Sequence, residues 1–195
     1  MKKTIPKNAV LIPDKAKCVF KGILYDVYQW EQELYDGSFK TFEMLKRYDS
    51  VKVLAVVDDK ILVNDEKQPN KEEYLTIPGG RHDEPDETEL QAAQRETVEE
   101  TGYSFKKWKL LAVYQFQPKL EYFMYYFLAY DVEGKIDPKL DAGEKVTTDL
   151  RPLSEVKRLA EDGLIKYIPT EILKHVDSLE DLYNWPEFVG QTVDR

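Results

Sequence analysis

The sequence predicts a mixed α/β fold, and three observations carry the expectation. Residues 51–57 form a near-continuous apolar run, as a buried strand would. The second half of residues 78–103 carries helical spacing with both ends marked. Along the chain the elements come in the order strand, strand, glycine loop, helix, strand, strand, strand, helix. At 195 residues the chain allows one ordinary domain with a small extra layer. The expected division is a β-rich section, residues 1–47, that packs or dimerises, followed by residues 48–195 with the glycine loop and the helix.

From the start, residues 17–34 read as one strand, because Leu24, Tyr28, Trp30 and Leu34 recur mostly at even spacing. Asp36-Gly37 signals a tight turn, and residues 39–46 alternate Lys40, Phe42 and Met44 with Thr41, Glu43 and Leu45. Residues 35–39 should therefore close a hairpin. Asp58-Asp59 turns the apolar strand into a second, residues 60–64. Residues 65–73 are polar, with Gln68, Pro69 and Asn70 as turn formers, and a short strand at 74–77 delivers Pro78-Gly79-Gly80.

In the helix, Leu90, Ala93, Thr97 and Thr101 make one narrow stripe of mostly small residues. Asp86 is the expected N-cap, with Glu89 three residues on, and Gly102 should stop the helix in a left-handed conformation. Glu96, Glu99 and Glu100 stand at i, i+3 and i+4 and so share roughly a quarter of the circumference. Each like-charge pair costs roughly 0.2–0.5 kcal/mol, and acidic groups near a helix C-terminus oppose the macrodipole. A bound divalent cation reverses both penalties, and hard cations such as magnesium choose carboxylate oxygens and substrate phosphates. The plain alternative is a solvated acidic face, since charge patterns alone are unspecific. Gly79 can offer its carbonyl oxygen to the same cation.

After the helix, residues 108–116 and 120–132 read as strands joined by Gln117-Pro118-Lys119. Tyr122, Phe123, Tyr125, Tyr126 and Phe127 belong to core and sheet surface. Residues 133–145 form a charged loop and 147–153 a further strand. Ser154 should cap a helix over 155–161 that Gly163 ends, with helix continuing to Tyr183 apart from breaks at Pro169 and around Asp177. The tail from Asn184 is loose or docked by Trp185.

Glu87, Arg95, Glu96, Glu99, Glu100 and Gly102 carry a resemblance to the Nudix box, Gly-x5-Glu-x7-Arg-Glu-U-x-Glu-Glu-x-Gly-U with U a bulky apolar residue. Seven residues separate Glu87 from Arg95, as in that pattern. Gly80 lies seven positions before Glu87 rather than six, one residue more in the loop, and Thr97 takes a position that is usually apolar. The resemblance implies a Nudix-type α/β/α sandwich with a mixed sheet, preceded by the β-rich section. It extends toward the ADP-ribose pyrophosphatase branch through Trp30, Asp36-Gly37, Phe42-Glu43, Phe127-Leu128-Ala129, Pro118 and the acidic segment Asp141-Ala142-Gly143-Glu144. The basic residues that often follow the second core strand in that branch are here Asp65, Glu66, Lys67 and Gln68.

The resemblance implies metal-dependent hydrolysis of a nucleoside diphosphate linked to a second group, with ADP-ribose or a nucleotide sugar as the expected substrate. Magnesium, or manganese in its place, would be held by Glu96 and Glu100, with Glu99 completing the cluster and Gly79 adding its carbonyl. There it neutralises the diphosphate and lowers the pKa of an attacking water. Arg95 pairs with Glu87 or Glu99, with phosphate contact as its alternative; Gly80, Glu87 and Gly102 are structural. The general base is sought in the loop before the last strand, where Asp137, Asp141 and Glu144 are candidates. Glu144 is preferred because Gly143 lets the loop bend inward, with Glu99 next in line. A nucleotide-binding or regulatory module of the same fold, without hydrolysis, is the rival reading. With 28 basic against 37 acidic residues and a net charge of −9, bulk binding to nucleic acid or an anionic membrane is excluded. Cys18 is the only cysteine, and the first residues lack the apolar run of a signal peptide, so a cytoplasmic protein is expected. The aromatic hairpin, with Tyr28, Trp30, Leu34, Phe39 and Phe42, is too small to bury them alone and points to a homodimer.

Overall fold

The computed structural model of the chain describes residues 2–69, 71–83, 87–140, 142–143 and 145–194. Strand β1 (Lys2–Ile5) is followed by β2 (Lys17–Lys21), β3 (Asp26–Glu33) and β4 (Phe39–Lys46), the last three an antiparallel meander. The single strand expected over 17–34 is thus two. Gly22 donates its N–H to the Tyr25 carbonyl at 3.1 Å and closes the reversal. A Cβ on Gly22 would lie 2.4 Å from that oxygen, so only glycine permits the approach. The expected hairpin at Asp36-Gly37 forms, with Gly37 at φ 81° and Trp30 facing Phe42 across the pair at 6.0 Å between ring centroids.

Next come β5 (Asp49–Val57) and β6 (Lys60–Lys67), turned by Asp58 and Asp59 at φ 48° and 59°. Strand β6 runs past its expected end at Asn64, because a later strand, β12, pairs with it from Ile61 to Lys67. Asp65, Glu66 and Lys67 are therefore strand and not turn. After β7 (Tyr74–Thr76), a two-residue strand that the sequence reading missed, β8 (Arg81–His82), pairs with the start of β5. Helix α1 (Glu89–Thr101) follows. Its N-cap is Thr88, whose hydroxyl accepts from the Gln91 N–H while the Gln91 side chain accepts from the Thr88 N–H. Asp86 lies outside the described residues. Gly102 ends the helix as expected, at φ 75°.

Strand β9 (Tyr103–Tyr114) starts directly after Gly102, ahead of the expected 108. The strand expected over 120–132 breaks at Tyr122-Phe123: β10 (Leu120–Glu121) joins β4 in the N-terminal sheet, and β11 (Met124–Lys135) joins β5 and β9. Then come β12 (Lys145–Arg151), α2 (Leu153–Glu161), β13 (Ile165–Lys166), α3 (Thr170–Leu173), α4 (Leu179–Asn184) and β14 (Gln191–Asp194). Ser154 is not the cap of α2; Pro152 precedes it without a side-chain cap. The tail docks: Trp185 packs against the core, the Phe188 N–H donates to the Leu110 carbonyl at 2.8 Å, and β14 pairs with β1.

The large sheet runs β13-β7-β6-β5-β11-β9, with β12 on β6 and β8 on β5; β11 lies parallel to β5 and β13 to β7, and the remaining pairs are antiparallel. Strand alternation divides two apolar layers between its faces. Val51, Val53, Ala55 and Val57 of β5, with Tyr125 and Phe127 of β11, pack with Ala92 and Ala93 of α1. Leu54, Val56, Tyr126 and Leu128 pack with Val156 and Leu159 of α2 and Ile172 of α3. This is the expected sandwich of a mixed sheet between helices. The stripe on α1 is corrected at Leu90, which in the first turn stays 38% exposed, while Ala92, Ala93, Thr97 and Thr101 are buried. Within the N-terminal sheet Glu121 of β10, 2% exposed, pairs with Lys46 of β4 at 3.1 Å and accepts from the Ile12 N–H at 2.7 Å, which ties the segment after β1 to that sheet. Among the described residues no helix is long and apolar enough to cross a membrane.

Candidate active site

The site begins where β7 hands the chain to Pro78-Gly79-Gly80. That loop lies along β5, with the Val53 N–H donating to the Pro78 carbonyl at 2.8 Å and the Val51 N–H to the Gly80 carbonyl at 2.9 Å. Gly79 sits at φ 129°, and a Cβ there would meet the Val51 oxygen at 2.2 Å, so its glycine is demanded by β5 beneath it. Gly80 makes room for a side chain: a Cβ would stand 2.5 Å from a carboxylate oxygen of Glu96.

Helix α1 then presents its acidic face to this loop. Glu100 is 7% exposed, and its Oε2 accepts from the Gly79 N–H at 2.9 Å and from Asn64 Nδ2 at 2.8 Å. Asn64, fully buried on β6, accepts in turn from the Thr148 hydroxyl of β12 at 2.8 Å. Arg95 forks onto Glu87, Nε to Oε1 at 3.0 Å and Nη2 to Oε2 at 3.3 Å. Its Nη1 bridges Glu96 at 2.8 Å and Glu99 at 3.0 Å, and Nη2 also reaches the Arg81 carbonyl at 3.0 Å. Lys52, 7% exposed on β5, donates from Nζ to the carbonyls of Ile77 at 3.0 Å and Gly79 at 2.6 Å.

These groups form one wall of an open cavity of about 800 Å3, a size suited to a nucleotide-scale ligand. Other parts of the wall are cationic and aromatic: Arg47, Lys71, Lys139, Tyr74, Tyr122 and Tyr167. The Arg47 guanidinium stacks 4.5 Å from the Tyr122 ring, and Lys166 and Lys71 stand over Tyr74 at 4.9 and 5.8 Å. Tyr167 holds φ 53°, a backbone conformation that costs about 1–3 kcal/mol in a non-glycine residue. The positive charge of this wall thus comes from Arg47 before β5, Lys71 between β6 and β7, and Lys139 after β11.

Glu144 and Asp141, the candidate bases, lie outside the described residues; Leu140 and Gly143 beside them line the cavity. Asp137 borders a second depression and not the main cavity. Sequence reasoning missed Lys52, Asn64, Thr148 and Tyr167. For Lys52 a signal was present, a lysine inside an otherwise apolar run, whereas Asn64 looked like a strand end and Thr148 and Tyr167 carried no pattern.

Burial pushes the Glu96 carboxyl up to about 7, against the pull of Arg95. It pushes Glu100 up to about 8, against Lys52 and the Gly79 N–H. Burial would lower Arg95, but its hydrogen bonds to Glu87 and Glu96 raise it. Among the described residues no three acidic, histidine or cysteine side chains converge tightly enough to enclose a metal ion. The donor set nonetheless fits one: carboxylates of Glu87, Glu96, Glu99 and Glu100 number four against the cations Arg95 and Lys52, leaving two negative charges in a partly dry wall.

Both raised carboxyls hold protons more tightly in the folded protein than in the unfolded chain. The metal-free fold therefore loses stability as pH rises from the ordinary 4.5 through about 8. The Tm of metal-free protein is expected to fall over that window, and saturating magnesium to cancel the fall while releasing protons. A Tm that rises across the window would contradict the burial of these two groups.

Residues 46–170 match the NUDIX domain family. The chain is 31% identical over 168 residues to an ADP-ribose pyrophosphatase of Bacillus subtilis (strain 168), covering 83% of this chain and 80% of that one. The fold is shared with the crystal structure of an ADP compounds hydrolase, at a TM-score of 0.62 and 22% identity over 82% of this chain and 86% of that one. It is also shared with a NUDIX hydrolase from Nitrosomonas europaea, at a TM-score of 0.55 and 25% identity over 72% and 91% of the two chains. A helix that sets Glu96, Glu99 and Glu100 beside a glycine loop, in a chain with these relatives, makes this protein a member of the NUDIX family of hydrolases.

Proposed function

We propose that the protein hydrolyses the diphosphate bond of a nucleoside diphosphate carrying a second group, most simply ADP-ribose, to AMP and ribose 5-phosphate, or a nucleotide sugar. The observation that carries this reading is the cavity itself, acidic along α1 and cationic and aromatic elsewhere, a pairing that suits a metal-bridged diphosphate with a ring at its end. The B. subtilis relative named for ADP-ribose supports the choice of substrate. The rival, a module that binds without hydrolysis, gains nothing from a helix that keeps repelling carboxylates on the cavity wall.

Glu96, Glu99 and Glu100 would hold magnesium, or manganese in its place; when bound, the ion neutralises the diphosphate and acidifies an attacking water. Arg95 positions: its fork on Glu87 and its bridge to Glu96 and Glu99 hold these carboxylates in one orientation. Arg47, Lys71 and Lys139 are placed to meet phosphate oxygens, and Tyr74 and Tyr167 to meet the sugar or base. Glu144 is proposed as the base that takes the proton of the attacking water, with Asp141 second; the neighbouring Leu140 and Gly143 on the cavity wall support a base from this loop. The Gly79 carbonyl, the fourth expected ligand, already accepts from Lys52.

The functional division at residues 47 and 48, a cytoplasmic location and a homodimer through the N-terminal sheet complete the proposal. Every residue of β2 is exposed, Phe20 and Phe39 are each 61% exposed and Ile23 is 99% exposed, a surface that a second copy would cover. Light scattering at micromolar concentration should give twice the chain mass, and a monomer would refute the dimer.

Glu100→Gln should abolish magnesium-stimulated release of AMP from ADP-ribose while the circular dichroism spectrum stays unchanged; normal turnover would end the proposal. Glu144→Gln should lower kcat by roughly 10²- to 10⁴-fold with little change in KM. Normal turnover there together with loss in Asp141→Asn passes the role to Asp141, and normal turnover in both moves it to Glu99.

A further inference from the structure

Lys52 is a charged side chain at the middle of the most buried strand of the sheet. Val51, Val53 and Leu54 beside it are fully buried, and Tyr126 opposite it on β11 is 2% exposed. An ammonium in such a place persists only where its donors are met and an opposite charge is near. Both conditions hold. Nζ gives hydrogens to the Ile77 and Gly79 carbonyls, stands 5.9 Å from the centre of the Tyr167 ring, and acts electrostatically on Glu96 and Glu100.

We infer that Lys52 is a resident cation of the active site: its ammonium holds the Gly79 carbonyl as its own ligand, and divalent ions are left to the glutamate carboxylates. The inference rests on the metal-dependent reading above and adds a positioning residue to it. The two peptides that flank the Gly79 Cα are each held, the N–H of the first on Glu100 Oε2 at 2.9 Å and the oxygen of the second on Lys52 Nζ at 2.6 Å. Turning that carbonyl toward another cation would break its bond to Lys52 and leave the buried ammonium with the Ile77 carbonyl alone of these two acceptors. A carbonyl oxygen has a second lone pair, but a divalent ion placed on it would lie roughly 4 Å from the ammonium, and in a partly dry wall that repulsion is strong. The fixed charge of Lys52 therefore does at Gly79 what a second ion would do, one residue from the peptide whose N–H binds Glu100.

Gly79-Gly80 is the one consecutive glycine pair in the sequence. Labelling glycine with 13C at the carbonyl and with 15N thus gives a single correlated NMR signal that reports the Gly79 carbonyl. In the wild type that carbonyl resonance should hardly move as Mg2+ saturates the protein. In Lys52→Met it should shift, and Mn2+ counted by electron paramagnetic resonance, without substrate, should rise by one ion per chain. Lys52→Arg, which keeps the charge, should count as the wild type does. A large Mg2+-dependent shift of the wild-type carbonyl overturns the inference, whether or not Lys52→Met folds; so does an equal Mn2+ count in folded wild type and Lys52→Met. Binding of no divalent ion by either protein would overturn the metal-dependent reading as well, which separates the two failures.

Discussion

The structure depends on how one buried carboxylate is satisfied. A carboxylate taken out of water without partners costs several kcal/mol; the Gly79 N–H and the Asn64 amide offset part of that cost at Glu100, and the remainder shows in its raised pKa. Each hydrogen bond to a charged group contributes about 1.5–3 kcal/mol. Through those two bonds α1 is tied to the loop after β7 and to β6, and through the Thr148 hydroxyl on Asn64 to β12 as well. The acidic face of the helix is therefore held in place by the sheet, and its repulsion is a property of a fixed array.

Arg95 completes that array by sharing one guanidinium among Glu87, Glu96 and Glu99. Its planar fork is spent on Glu87, and the remaining bonds hold the two glutamates in reach of the cavity. The cationic part of the cavity wall is assembled from distant parts of the chain, Arg47 before β5, Lys71 before β7 and Lys139 after β11. Local acidity and dispersed basicity together give the site its polarity in a chain of net charge −9.

Much of this was legible in the sequence where the signal was local. The spacing of Glu96, Glu99 and Glu100, the stop at Gly102, the hairpin at Asp36-Gly37 and the bounds of β4 follow from periodicity and turn chemistry. Pairing partners decided the rest. Residues 65–67 look like a turn and become strand because β12 lies alongside, and residues 120–132 look like one strand but divide because their two ends join different sheets. The reversal at Gly22 had no dipeptide signature, since it rests on one close backbone approach. The helix cap moved from Asp86 to Thr88 because Gln91, at the third helical position, completes a reciprocal pair with Thr88. In the site, the carboxylates were visible as a motif, but their partners Lys52, Asn64 and Thr148 come from three separate strands and share no spacing that a linear reading could find.

Two clamps, one at Gly80 and one at Glu87, also bear on how this enzyme tolerates change. Upstream, the Gly80 carbonyl is pinned to the Val51 N–H; downstream, Glu87 is gripped by the Arg95 fork. Between them β8 is held on β5 and the Arg81 carbonyl accepts from Arg95, and lengthening a closed segment by one residue costs only a few tenths of a kcal/mol in closure entropy. A change of length in this interval is therefore cheap in entropy, whereas a shift of Arg81 would reach the guanidinium that orients Glu96 and Glu99.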